Sequence, residues 1–450
     1  MKAESVLKRG LLLLTLAAIV GLPLVILVTP VQGAPPSPPP FVSGRILVKF
    51  DPRTGAVERA AVHRREGGTP LGVIRGIGVE VVAVPARAEE ARAAGYARNP
   101  HVTFAEPDYL AYALEDAGAV DPFFGKQWGL DNTGQDYDGR TGTEDADIDA
   151  LEAWDITTGS ADVTIAILDS GIDPNHPDLA GKLVDDAIDL TGSLTVDDNY
   201  GHGTHVAGIA AAETNNGTGV AGVGYDASLL NVKVLGDEGW GASSWIAEGI
   251  LWAVARGARV INMSLGFYRK SLTLQAAVDD AWNSGVLLVA AAGNDGTSRK
   301  LYPAAYPNCM AVAATDDDDQ RVDEPGWWAS NYGAWVDVAA PGLFIYSTFP
   351  THDYFLDKAP KYVYGSGTSM ATTHVAGLAG LLFGQDQLRG NADVRSLIED
   401  TADPVPGTGT YWVHGRINAC NAVGGECAYG GQEPPPEGTV HVHSVDMEYT

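Results

Sequence analysis

Three side chains of complementary chemistry stand in short motifs far apart along the chain. They are Asp169 in Asp169-Ser170-Gly171-Ile172, His202 in Gly201-His202-Gly203-Thr204-His205-Val206-Ala207-Gly208, and Ser369 in Gly365-Ser366-Gly367-Thr368-Ser369-Met370-Ala371. A hydroxyl attacks an unactivated carbonyl only if a base removes its proton and later returns it, and the base needs a partner that fixes its tautomer. Hydroxyl, imidazole and carboxylate divide that work between them. Ser369 precedes an apolar pattern of helical spacing (Val375, Leu378, Leu381, Leu382), so the positive end of a helix dipole lies behind it. Glycines at 365 and 367 let another backbone approach the hydroxyl closely. Singly, each residue has a bland reading: Asp169 as a strand-end cap, His202 as a packed residue in a helix's first turn, Ser369 as a helix cap. Jointly, their order and their contexts at strand ends and helix starts favour chemistry. Other chemistries fit worse. Ala371 occupies the place where a Gly-x-Ser-x-Gly elbow needs glycine. His202 and His205 are three apart and lack the Glu of His-Glu-x-x-His, which makes a weak zinc pair.

Positioning such groups requires a rigid frame, and the pattern supplies one. Apolar runs at 163–168, 228–234, 260–263, 286–291 and 310–314 read as strands, alternating with helical segments at 202–212, 243–256, 272–284 and 369–383. Near-continuous Val, Ile, Leu and Ala strands between helices imply an α/β fold whose parallel sheet is covered by helices on both faces. Sites in such sheets form at the carboxyl ends of strands, where Asp169 stands.

Upstream lies a smaller α+β unit at 42–114, with strands expected at 45–50 and 79–84, a helix at 88–97 and a short extended segment at 109–114. The acidic, small-residue stretch 115–120 reads as a linker and processing site, and the larger domain spans 121–423. Lys8 and Arg9 before an apolar run at 11–28, then small residues to position 33, give the layout of an export signal. An uncleaved membrane anchor is the alternative for residues 1–33, and a Pro-rich spacer follows at 34–41. Residues 424–450 form a Gly/Pro-rich tail, in which Val440-His441-Val442-His443 alternates like the start of another strand.

The chain has 450 residues, 45% hydrophobic and 19% charged, enough to bury a large core. Its net charge of −28 is uneven: residues 1–115 carry 13 Lys and Arg against 10 Asp and Glu, the remainder 16 against 47. So acidic a body excludes nucleic acid as its partner and should attract the more basic leader. Of three cysteines, Cys420 and Cys427 are spaced for a disulfide in an exported protein, and Cys309 reads as buried packing.

The three motifs together resemble the signatures of the subtilisin-like serine peptidases, whose triad runs in the same Asp, His, Ser order. Trp335-Val336-Asp337-Val338-Ala339-Ala340-Pro341-Gly342 and Ile345-Tyr346-Ser347-Thr348 look closest to the thermitase branch. The resemblance implies a secreted, monomeric serine endopeptidase acting on proteins or peptides. Ala290-Ala291-Ala292-Gly293-Asn294 is similar to the family's oxyanion segment, with Asn294 as donor beside the Ser369 amide. Ser264-Leu265-Gly266 and Gly239-Trp240-Gly241 resemble the two edges between which substrate binds as an added strand. Ala291, Ala292 and Gly293 would wall the primary pocket with the first edge, and Leu301 would line its base. Those walls are small or apolar, so an apolar or aromatic residue is expected before the scissile bond.

Asn99-Pro100-His101-Val102 and Glu106-Pro107-Asp108-Tyr109 are similar to pieces of the inhibitory propeptide, a ferredoxin-like domain that assists folding and then blocks the groove. Self-cleavage is then expected between about Ala113 and Val120. The loop Thr214-Asn215-Asn216-Gly217-Thr218-Gly219-Val220 resembles the family's tight calcium loop. Its oxygen ligands would be Asn216 by side chain, Thr214, Thr218 and Val220 by carbonyl, and Asp178 and Asp121 as carboxylates. Asp197, Asp198 and Asp337 are weaker candidates for further cations. One departure stands out: Thr373 occupies the place of the family's proline in Ser-Met-Ala-x-Pro-His, which would loosen the helix start that aims Ser369. A noncatalytic binding protein on the same scaffold is the second expectation, and Thr373 is the residue that raises it.

Overall fold

Alternation of inward and outward side chains along the first strand decides how the N-terminal unit is built. In the computed structural model, which describes residues 41–113, 116–118, 124–137, 139–352 and 361–427, β1 (Phe41–Phe50) buries Ile46 and Val48 on one face and Leu47 on the other. The first face packs beneath α1 (Ala56–Glu66) and α2 (Glu89–Ala97), with Val62, Val82 and Tyr96. The second face, with Ile74, Ile77 and Val79, lies against Leu251 and Ala276 of the larger domain. Strands β2 (Thr69–Ile74), β3 (Val79–Ala83) and β4 (Val102–Ala113) complete an antiparallel sheet in the order β4-β1-β3-β2. With its β-α-β-β-α-β connectivity this is the ferredoxin-like arrangement.

The larger domain is a seven-stranded parallel sheet. Its strands in chain order are Thr164–Asp169, Leu183–Asp189, Ser228–Lys233, Val260–Met263, Leu287–Ala291, Met310–Thr315 and Val338–Pro341. Thr164–Asp169 is an interior strand, third from the Leu183–Asp189 edge, flanked by Ser228–Lys233 on one side and Val260–Met263 on the other. Ile165 and Ile167 face one core, which includes the helices His202–Ala211 and Thr368–Gln385; Ala166 and Leu168 face the other, under Ser243–Ala255 and Leu272–Asn283. Strand order reverses at Thr164–Asp169, so its carboxyl end is the topological switch point where open α/β sheets place their sites. Asp169 is the last residue of that strand.

Two strands of this sheet escape a reading by apolar runs. Leu183–Asp189 is an edge strand with three exposed residues at its centre, and Val338–Pro341 is short and ends in proline. Helix α1 escapes for a related reason, because only Val62 and His63 of its eleven residues are buried. Cys420 and Cys427 form a disulfide, and Cys309 is buried. The N-terminal apolar run, the Pro-rich spacer, Asp121 and the tail from 428 onward lie outside the described residues. Among the described residues no helix is long and apolar enough to cross a membrane.

Candidate active site

Asp169, His202 and Ser369 are all fully buried. The Asp169 Oδ1 atom accepts from the Ser170 N–H at 2.7 Å and lies 2.7 Å from His202 Nδ1. With the carboxylate accepting from Nδ1–H, the neutral imidazole carries its lone pair on Nε2. His202 opens its helix, and the next residue can only be glycine. A Cβ at 203 would stand 2.0 Å from the Gly171 carbonyl oxygen. That close approach lets the Ser170 hydroxyl accept from the Gly203 N–H at 2.9 Å, knitting the aspartate loop to the histidine helix.

Sequence reasoning put Asp198 among weaker cation ligands, and the structure gives it another task. Its carboxylate is buried and accepts from the Ser170 hydroxyl (2.8 Å) and from the N–H groups of Tyr200, Gly201 and Thr204 (3.1, 2.8 and 2.8 Å). It therefore caps the helix that carries His202 and ties that cap to the residue after Asp169. An acid four residues before a helix start is the signal that could have revealed it. His205, one turn on, is pushed down to about 3 by burial and sits 3.2 Å from the Val363 carbonyl, so it offers no second base near neutral pH.

Thr373 makes a bond that proline could not. Its hydroxyl donates to the Ser369 carbonyl at 2.7 Å, and the Ser264 hydroxyl donates to the same oxygen at 2.9 Å. The nucleophile's carbonyl is held by two hydroxyls, of which proline at 373 would remove one. Ser369 Oγ lies 3.3 Å from the Ser264 carbonyl.

Asn294 follows the strand Leu287–Ala291, and its orientation is fixed by Thr368. The Asn294 Oδ1 atom accepts from both the N–H (3.0 Å) and the hydroxyl (2.9 Å) of Thr368, which leaves the NH₂ end as the free donor face of the amide. Thr368 Oγ1 also accepts from the Gly293 N–H at 3.0 Å. A Thr368→Val enzyme keeps the shape and the backbone N–H bond but loses the hydroxyl half of the clamp, and should lose about 10-fold in kcat with KM little changed, a fraction of the cost of deleting an oxyanion donor outright. Steady-state kinetics on one peptide substrate checks this, and an unchanged kcat would refute the clamp.

The groove beside these residues is filled by the chain itself. At the end of β4, Leu110, Ala111 and Tyr112 pair antiparallel with Ala242, Gly241 and Trp240, while Tyr112 and Ala113 pair with Gly266 and Leu265. Beyond, Asp116, Ala117 and Gly118 pair with Ser366, Gly365 and Tyr364, on the strand leading to Ser369. Below the groove, a Cβ on Gly266 would lie 2.5 Å from Leu301 Cδ2 and one on Gly293 3.2 Å from it, so Leu301 closes the space between those glycines. Ala291 and Ala292 are buried beside it.

Two carboxylates anchor β4 above. Glu106 accepts from the Ser271 hydroxyl and the N–H groups of Leu272 and Thr273 (2.8, 2.6 and 2.7 Å), at the start of the helix Leu272–Asn283. Asp108 accepts from the N–H and hydroxyl of Ser244 (2.9 and 2.6 Å) and from the Ser243 hydroxyl at 3.1 Å, at the start of Ser243–Ala255. Spaced by two on a strand, they share a face and meet two helix N-termini at once.

The sequence matches the subtilase family over residues 160–426 and the fervidolysin N-terminal prodomain over residues 29–108. It is 42% identical over 390 residues to the thermophilic serine proteinase of Bacillus sp. (strain AK1), covering 85% of this chain and 88% of that protein. The chain belongs to the subtilase family. Thermitase of Thermoactinomyces vulgaris is 50% identical to this subtilase over 276 residues, 61% of the chain and 93% of thermitase. The crystal structure of fervidolysin from Fervidobacterium pennivorans, described as a keratinolytic enzyme related to subtilisin, superposes with a TM-score of 0.68 at 26% identity. That match covers 86% of this chain and 61% of fervidolysin. This subtilase is thus a subtilisin-like serine protease with an N-terminal prodomain.

Of the residues that the resemblance assigns to a calcium loop, Asp178, Asn216 and Val220 meet, the Asn216 Oδ1 atom accepts from the Thr218 N–H at 2.6 Å, and Asp121 lies outside the described residues. Asp178 is fully buried, accepting from the Asn216 side-chain amide at 3.0 Å and from the Val220 N–H at 2.9 Å. Among the described residues, the carbonyls of Thr214, Thr218 and Val220 accept no hydrogen bond. A buried carboxylate beside uncommitted carbonyl oxygens is a donor set that fits a hard cation.

Proposed function

We propose that this subtilase is exported as a zymogen, cleaves itself between Ala113 and Asp116, and hydrolyses peptide bonds through Asp169, His202 and Ser369. The observation that carries the reading is the path of the chain across the groove. One segment, 110–113, is paired with both edges upstream of the serine, and another, 116–118, with the strand leading into it. An extended peptide held on both sides of a nucleophile is the geometry of a substrate, and after cleavage its upstream half remains as an inhibitory product.

In the reaction, Ser369 Oγ attacks the scissile carbonyl while His202 Nε2 takes its proton. Asp169 holds the ring and stabilises the imidazolium. The Asn294 amide and the Ser369 N–H donate to the oxyanion. Collapse expels the amine, which receives the proton from His202, and water then repeats the sequence on the acyl-enzyme. Calcium bound by Asp178, Asn216 and the Thr214, Thr218 and Val220 carbonyls would cross-link its loop and take no part in these steps. The domain limits follow: an export leader to residue 33, a prodomain at 42–114, a processing linker at 115–120 and a peptidase at 121–423.

A serine-directed fluorophosphonate tests the nucleophile. It should label Ser369 of the secreted, processed protein, whose N-terminus should fall between residues 114 and 116. No labelling of folded, processed protein, or a mature terminus before residue 100, overturns the reading. The pocket closed by Gly266, Gly293 and Leu301 should favour apolar or aromatic residues before the scissile bond by about 10-fold or more over charged ones. Cleavage of a mixed peptide library measures that, and a charged residue dominating the position would refute it.

A further inference from the structure

Beside the substrate edge Trp240–Ala242 lies a cavity of about 270 Å³, lined among others by Thr191, Ser193, Asp237, Glu238, Trp240 and Trp245. The rings of Trp240 and Trp245 stack at 5.9 Å with 21° between planes. Trp240 Nε1–H donates to Glu238 Oε2 at 3.1 Å, which holds an exposed carboxylate at the edge of the indole. The other acid, Asp237, is already offset by the buried Lys233, 3.1 Å away. Glu238 is the acid of the pair without a cation beside it among the described residues.

Register aims this site at the substrate. Trp240 stands directly opposite Tyr112 in the antiparallel pairing, and residues directly opposite project to the same face of a sheet. A substrate residue taking the backbone place of Tyr112 therefore directs its side chain along the face of Trp240. A lysine or arginine there can lay its aliphatic stem on the indole, its charge near the ring quadrupole and within reach of Glu238. The prodomain supplies an independent pointer. Arg45 of β1, paired with Asp108 and Ser244, also stands over Trp245, 5.9 Å from the ring centroid, so the zymogen itself places a guanidinium on one of these two rings.

We propose that Trp240, Trp245 and Glu238 form a subsite that selects a basic side chain at the substrate position opposite Trp240, upstream of the scissile bond. The proposal rests on the groove binding substrate as an added strand, as in the function argued above. It makes the enzyme doubly selective, for an apolar residue at the scissile bond and a cationic one farther upstream.

The test uses processed enzyme and peptides that share an apolar residue before the scissile bond, with lysine, arginine or norleucine moved through the four positions upstream of it. One position should show kcat/KM about 5- to 20-fold higher for lysine or arginine than for norleucine, and the ratio should fall in 0.5 M salt. Glu238→Gln and Trp240→Leu should each reduce the ratio below about 2-fold. Equal turnover of lysine and norleucine peptides at all four positions overturns the proposal, as does a preference that survives both substitutions. If no peptide is hydrolysed, norleucine peptides included, the peptidase reading itself fails and takes the subsite with it.

Discussion

Ser369→Ala should lower kcat by about 10⁶, a magnitude taken from nucleophile removal in subtilisin rather than derived from this chain. It should also leave the polypeptide intact between Ala113 and Asp116. One hydroxyl controls both outcomes because the segments 110–113 and 116–118 occupy the positions a foreign substrate would. The fold should tolerate the change. Ser369 Oγ makes a 3.3 Å contact to the Ser264 carbonyl, whereas the Ser369 carbonyl keeps its bonds to Thr373 and Ser264. Residual catalysis from Asn294 and from binding alone sets the floor. Intact mass and N-terminal sequencing of the secreted variant, with peptide turnover beside them, decide the matter. A variant that still processes itself in pure form, or keeps more than about 1% of activity, would remove Ser369 from the role assigned to it.

The chemistry was legible because it is local. Asp169, His202 and Ser369 each sit in a short motif, and a glycine such as Gly203 is demanded by a local close approach, there the Gly171 carbonyl. The central strands were legible too, being buried on both faces and hence continuously apolar. What stayed hidden depends on partners distant in sequence. An acid ahead of a helix start hints that Asp198 caps that helix, but nothing near it announces that its carboxylate will also hold the Ser170 hydroxyl, 28 positions away. Thr368 looks like a residue beside the nucleophile until Asn294, 74 positions away, is seen clamped by it. Thr373 reads in the sequence only as a missing proline, and the partner of its hydroxyl, the Ser369 carbonyl, is visible only in the fold. Edge strands and the sparsely buried α1 lack the periodicity that sequence patterns report.

Chelation of calcium should produce the largest loss of stability. Between Thr214 and Val220 the loop holds Asn215 at φ 62°, Gly217 at 76° and Gly219 at 69°, three left-handed residues in five. The non-glycine one alone costs roughly 1 kcal/mol or more. Position 219 cannot carry a side chain, because a Cβ would fall 1.9 Å from Asp178 Oδ2. Asp178 is a fully buried carboxylate, and burying an ionised carboxylate is costly unless a cation or hydrogen bonds compensate it. If calcium is present at about 1,000 times its dissociation constant, binding to the folded state alone contributes about 4 kcal/mol. At about 2–4 °C per kcal/mol for a domain of this size, EDTA should lower Tm by roughly 8–16 °C, and added calcium should restore it. The measurement belongs on the Ser369→Ala protein, where self-digestion cannot imitate unfolding. Asp178→Asn in that background should start from the lower Tm and respond to neither EDTA nor calcium. A Tm that stays within about 1 °C on chelation, with Asp178→Asn equally indifferent, would mean that hydrogen bonds from Asn216 and Val220 satisfy Asp178 and that the loop needs no cation.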